Sequence, residues 1–101
     1  VGDNSVVITA SDGNGGSVTD TFTIVVANTN DAPTITSTAV TSATEDTAYT
    51  YTVTTADDDS DTVTLTGTTV PSWATFTAST GVLAGTPLNA NVGDNSVVIT
   101  A

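Results

Sequence analysis

An all-β sandwich is the fold this sequence predicts, and three observations predict it. Threonine is the commonest residue and alternates with Val, Ile, Tyr and Phe in short runs, the period-two pattern of half-buried antiparallel strands. Straight-chain helix formers are almost absent: there is no Lys, Arg, Gln or Met, and Glu45 is the one glutamate. Clusters of Gly, Asp, Asn, Ser and Pro separate the runs, where turns are needed.

Taken in order, Val6, Ile8 and Ala10 form the inward set of the first run. Ser11-Asp12-Gly13-Asn14-Gly15-Gly16 supplies turn chemistry, and the next run places Val18, Phe22, Ile24 and Val26 opposite Thr19, Thr21 and Thr23. The polar stretch Asn28-Thr29-Asn30-Asp31-Ala32-Pro33 ends in a proline that holds Ala32 extended, and it reads as a linker. Tyr49, Tyr51 and Val53 then alternate with Thr50, Thr52 and Thr54; Asp57 to Asp61 forms a loop; Val63 and Leu65 alternate with Thr62, Thr64 and Thr66. Pro71-Ser72-Trp73 is expected to plug the core from a crossover, with Phe76 beside it. Ser79-Thr80-Gly81 and Gly85-Thr86-Pro87 punctuate the remainder, and Val97, Ile99 and Ala101 close it with the inward set of the first run. About seven strands result, the number in an immunoglobulin-like sandwich.

The closing set matches the opening one because the sequence is the same. Val1–Ala10 reads VGDNSVVITA, and so does Val92–Ala101, a period of 91 residues from Val1 to Val92. That is longer than the roughly 20 to 50 residues of solenoids and propeller blades, so each copy is expected to be a domain with its own small core. The chain reads as a window on a tandem array. Residues 1–27 supply the last strands of one repeat, residues 28–33 the linker, and residues 34–101 most of the next repeat. A closed, circularly permuted single domain is the alternative. It is disfavoured because a linker of this length reaches only about 20 Å, while the strand it must bypass spans about 30 Å.

Charge narrows the function. There are eleven acidic residues and no Lys, Arg or His, for a net charge of −11. Without cationic side chains, binding to a nucleic-acid backbone is excluded and attraction to anionic membrane surfaces is not expected. No run is apolar enough to insert in a membrane as a helix. Every carboxylate must be solvated, hydrogen-bonded or metal-bound, which points to cations as partners. The absence of His, Cys and Lys removes the usual general bases and activated nucleophiles, so no enzymatic activity is expected. Cysteine is absent, so no disulfide staples the fold, and the lack of tryptic sites suits a protein exposed to external proteases.

Asp57, Asp59 and Asp61 alternate along one loop and bring hard oxygen donors together, as calcium requires. The loop is not an EF-hand: Thr62 stands at the sixth position, where glycine is needed, and Thr68 at the twelfth, where glutamate is needed. A solvated acidic turn is the alternative reading.

Five segments together resemble a known family: Thr44-Glu45-Asp46-Thr47-Ala48-Tyr49, Asp57 to Thr62, Thr80-Gly81-Val82-Leu83-Ala84-Gly85-Thr86-Pro87, Ser11 to Gly16, and Asn28 to Pro33. In that order around the repeat they resemble the dystroglycan-type cadherin-like and bacterial Ig-like tandem repeats of large bacterial surface adhesins. The resemblance implies a seven-stranded cadherin- or immunoglobulin-like β-sandwich that extends a stalk or matrix outside the cell, with calcium at the joints between domains. It assigns Asn30 and Asp31 as linker ligands, Asp57 and Asp59 as the paired aspartates of the following domain, Asp12 as the acidic residue near a last turn, and Glu45 as the glutamate from the domain before a junction. Asn28 stands where the family has aspartate, and no acidic element occurs near Ala84 to Thr86, which implies fewer ions per junction than in cadherins proper. Neighbouring identical repeats are the implied partners. Two other readings remain open: a self-assembling filament or sheath with lateral association between chains, and a carbohydrate- or protein-binding module centred near Trp73.

Overall fold

The computed structural model describes residues 1–101 and divides into two compact units, Val1–Asn30 and Asp31–Ala101. The first unit is a hairpin. Strand β1 (Gly2–Ser11) pairs antiparallel with β2 (Ser17–Val26), in unbroken register from Gly2 opposite Val26 to Ser11 opposite Ser17. Two glycines at positive φ, Gly13 at 71° and Gly15 at 89°, let the intervening loop reverse tightly. Because opposed residues share a face, Val6, Ile8, Phe22, Ile24 and Val26 lie on one side. The alternation expected from the sequence is present, but its apolar side is not covered within the unit. Phe22 is 40% exposed, Ile24 49% and Val26 44%, since a hairpin alone has no second layer.

The second unit holds seven short strands: β3 (Thr34–Ile35), β4 (Tyr49–Thr52), β5 (Thr55–Ala56), β6 (Thr66–Thr69), β7 (Ala74–Thr77), β8 (Val82–Gly85) and β9 (Val98–Thr100). The central sheet runs β4-β8-β7, all antiparallel, so Leu83 on the middle strand lies opposite Tyr51 on one side and Phe76 on the other. Leu83 is the one fully buried side chain, and Val53 is the other buried large apolar residue. Tyr49 and Tyr51 are half-buried and Val53 buried while Thr50, Thr52 and Thr54 are exposed, so the predicted period is realised in burial. Beyond the strand, the Val53 amide donates to the Gly81 carbonyl at 2.8 Å and continues the ladder.

Two smaller pairings complete the unit, β3 with β5 and β6 with β9. The run expected around Val63 and Leu65 keeps its alternation, both residues half-buried between exposed threonines, but the paired strand begins only at Thr66. Pairing needs a partner, and β9 reaches only Thr66, Gly67 and Thr69, with a register shift between Gly67 and Thr69. Tyr49, Tyr51 and Leu83 from the central sheet line one cleft of about 730 Å³ together with Val97 and Ile99 from the β9 segment. The two sheets therefore face each other as layers of an open sandwich. Trp73 is half-buried at this cleft, edge-on to Tyr49 with ring centroids 5.8 Å apart, and its Nε1–H donates to Asn95 Oδ1 at 3.1 Å. Burial, with Tyr51 as a lesser cause, pushes the Tyr49 phenol above its ordinary value, and its hydroxyl donates to the Val40 carbonyl at 2.7 Å.

Candidate metal centre

The loop between β5 and β6 is built by its own first residue. Asp57 Oδ1 accepts the backbone amides of Asp59 at 2.9 Å and Asp61 at 3.0 Å, and its carbonyl accepts the Ser60 amide at 3.1 Å. Short polar side chains form such turns readily, and Ser60 takes the left-handed conformation with φ of 62°. The turn brings one carboxylate oxygen each from Asp57, Asp59 and Asp61 within 4.8 Å of one another. Asp57 and Asp59 are half-buried and Asp61 exposed.

At such spacing each pair of carboxylates repels by about 1 kcal/mol in a water-like medium and about 3 kcal/mol at an effective dielectric of 20. No Lys, Arg or His exists anywhere in the chain to offset this. The Asp31 backbone N–H reaches the cluster from outside the loop and donates to Asp59 Oδ2 at 2.6 Å. The start of the second unit is thus tied to the acidic loop across 28 residues of sequence.

Asn30 directly precedes Asp31, and Glu45 and Asp12 belong to other loops. Glu45 sits in the turn before β4, where the Thr47 amide donates to the Thr44 carbonyl at 3.2 Å and the Asp46 amide to the Pro87 carbonyl at 2.8 Å; it lines the cleft and is not in the aspartate group. Asp12 belongs to the hairpin loop, where its Oδ1 accepts the amides of Asn14 at 2.8 Å and Gly16 at 3.0 Å. These bonds, Asn14 first and Gly16 second, hold its carboxyl below the usual value of 3.8.

A pH effect follows from Asp12. The folded carboxyl is the more acidic, so its contribution is present above the ordinary carboxylate value and is lost as pH falls through the folded-state value. Acidification is expected to free the Asn14 and Gly16 amides together, as read by amide exchange in NMR. Asp12→Asn, which keeps an acceptor oxygen, should make both amides insensitive to this titration. Unchanged acid-induced release in Asp12→Asn would show that another group controls the loop.

A model of the Putative Ig domain family matches residues 32–101, well over half of the chain and nearly all of the second unit. The chain belongs to the Putative Ig domain family. No curated protein and no solved structure gives a significant match. The Ig-like assignment agrees with the all-β architecture and its antiparallel sheets. Ig-like domains are generally not enzymes. Sequence spacing alone points to the aspartate trio of this Ig domain. The Asp31 amide as a fourth participant and the Trp73–Asn95 bond depend on tertiary proximity, and the sequence carries no signal for them beyond the match of Asn95 to Asn4.

Proposed function

We propose that this Ig domain chain is a structural extender repeat of a secreted or cell-surface adhesin or matrix protein of bacterial type. Identical copies follow one another along the polypeptide, and calcium stiffens the joints. The observation that carries the reading is the decapeptide VGDNSVVITA, which supplies a strand in each of two consecutive units. A string of small domains joined by short polar linkers spaces its ends and has no catalytic apparatus to offer.

The donor set fits calcium: Asp57, Asp59 and Asp61 present hard oxygen ligands only, with no nitrogen or sulfur ligand in the group. In this reading these three hold the ion, the Asp31 amide fixes Asp59, and Asn30, Asp31, Asp12 and Glu45 complete junctions between consecutive copies. A bound divalent cation removes the mutual repulsion of the trio and locks the linker to the loop.

Extracellular modules bind calcium with Kd of about 10⁻⁴ to 10⁻³ M. At ten times Kd the gain is about 1.4 kcal/mol, which raises the melting temperature by several degrees, at about 4–8 °C per kcal/mol for a unit of this size. The test is thermal melting of three consecutive repeats in millimolar calcium and in chelator. Asp59→Asn, which keeps an acceptor for the Asp31 amide, is expected to abolish the calcium response and to melt slightly higher than the parent in chelator. Equal melting of the parent with and without calcium would remove the metal from the account.

A further inference from the structure

The loop that joins β1 to β2 holds two dipeptides in which a short carbonyl side chain precedes glycine, Asp12-Gly13 and Asn14-Gly15, and neither pair occurs elsewhere in the chain. Both have the atoms for one reaction, attack of the glycine nitrogen on the preceding side-chain carbon to close a five-membered ring. Glycine has no Cβ to hinder its own nitrogen.

The loop holds the two pairs differently. Asp12 Oδ1 accepts the amides of Asn14 at 2.8 Å and Gly16 at 3.0 Å, bonds that favour the carboxylate, which carries no leaving group. The Gly13 amide is turned toward Ser11 Oγ at 3.4 Å. Asn14 carries an amide, whose nitrogen can depart as ammonia. Its Nδ2 donates to the Asp12 carbonyl at 3.3 Å, and its Oδ1 has no partner. The Gly15 amide donates to no acceptor. Gly15 has φ of 89°, and a Cβ there would meet nothing within 4 Å, so the attacking nitrogen stands in open surroundings. Both residues are exposed to water.

Other asparagines lack these conditions. Asn95 donates from Nδ2 to the carbonyls of Asn91 and Gly93, each at 3.0 Å, accepts the Trp73 indole N–H on Oδ1 and precedes Ser96. Asn91 Oδ1 accepts the Leu88 amide at 2.8 Å, and the next nitrogen belongs to β-branched Val92. Asn4 lies within the β1–β2 ladder opposite Ile24 and precedes Ser5.

We propose that Asn14 is a site of spontaneous covalent modification, converting through a cyclic imide to isoaspartate and aspartate. The Gly15 nitrogen gives its proton to solvent base and bonds to Asn14 Cγ. The Cγ–Nδ2 bond breaks, and Nδ2 takes a proton from solvent and leaves as ammonia. Water then opens the ring. Cleavage at the main-chain carbonyl carbon of residue 14 leaves isoaspartate, and cleavage at Cγ leaves aspartate. One water is consumed and one ammonia released, with no change of oxidation state.

The products loosen the loop. Isoaspartate adds one atom to the main chain between Asp12 and Gly16, the residues that close it: the Asp12 amide donates to the Gly16 carbonyl at 3.0 Å, and the Gly16 amide to Asp12 Oδ1. Either product also sets a second carboxylate in the loop beside Asp12, with no cationic side chain in the sequence to offset it. The inference uses the loop alone and depends on neither the repeat nor calcium.

Nitrogen-15 NMR of the full chain during incubation in mildly alkaline buffer tests this. The side-chain NH₂ signals of Asn14 are expected to decay to baseline first, while those of Asn91 and Asn95 persist. The decay should quicken with rising pH, isoaspartate should be found at position 14 by fragmentation mass spectrometry, and exchange of the Gly16 amide should rise in step. Asn14→Gln, which would have to close a six-membered ring, should retain its side-chain amide and its Gly16 protection over the same period. Asn14 signals that outlast those of Asn95 would overturn the proposal. So would isoaspartate forming at position 12 as fast as at position 14, or Gly16 exchange that rises equally in Asn14→Gln.

Discussion

Replacing Leu83 by alanine is expected to abolish the cooperative unfolding transition of the second unit, or to move it far toward lower denaturant. Leu83 is 1% exposed, sits on the middle strand between Tyr51 and Phe76, and shares the buried apolar core with Val53 alone among large residues. A buried leucine truncated to alanine loses about 2–5 kcal/mol, against a total stability of about 5–15 kcal/mol for ordinary domains. A unit with so little buried surface lies near the lower bound. Urea unfolding followed by Trp73 fluorescence gives the measurement. Leu88→Ala is the control, since Leu88 is 58% exposed and a surface change of this kind stays within about 0.5 kcal/mol. Equal effects of the two substitutions would mean that the core does not centre on β8.

Gly85→Ala is expected to be nearly as damaging, by overpacking instead of by a cavity. A Cβ on Gly85 would run into the Trp73 carbonyl oxygen and stand 2.8 Å from Ala74 Cα. Both obstacles are backbone, and Gly85 is paired with Tyr49 on one side and Ala74 on the other, so neither strand can swing away. Overpacking of this sort costs about 1–3 kcal/mol, and backbone-to-backbone clashes lie toward the upper end. The strain falls on the segment that seats Trp73. The expected signature is therefore a weakened Trp73–Asn95 hydrogen bond and a loosened edge-on contact with Tyr49, seen as a shifted indole N–H resonance and reduced near-ultraviolet circular dichroism. A variant with the parent's indole resonance and midpoint would contradict the close approach of β7 and β8.

Those two positions show what a sequence reveals and what it withholds. Alternation of Tyr49, Tyr51 and Val53 with threonine was enough to predict an inward and an outward face, because side-chain direction in a strand is fixed by the backbone. The same reasoning puts Phe22, Ile24 and Val26 on one face, and the register of β1 with β2 places them there. The pairing limits of the run at Val63 and Leu65 were hidden, because a ladder ends where its partner ends, and β9 is short. The two-residue pair of β3 with β5 lies below the length at which periodicity carries any signal.

At the candidate metal centre, Asp57, Asp59 and Asp61 were legible from spacing because a turn seeded by an aspartate folds locally. The Asp31 amide was not legible as a donor, since backbone groups have no sequence signature. Asp12 carried two messages in one residue. Resemblance assigned it to a calcium junction, while the pattern Asp-Gly-Asn-Gly-Gly also specifies the loop in which its Oδ1 accepts two amides. Both uses are open to a carboxylate with two oxygens.

The measurement that tests the extender reading most directly is small-angle scattering in millimolar calcium from polypeptides of two, three and four consecutive repeats. If each copy is a bead joined to the next by a stiffened linker, the maximum dimension grows by a constant increment for every 91 residues added. Growth with only the cube root of mass, the behaviour of copies gathered into one compact body, would contradict it.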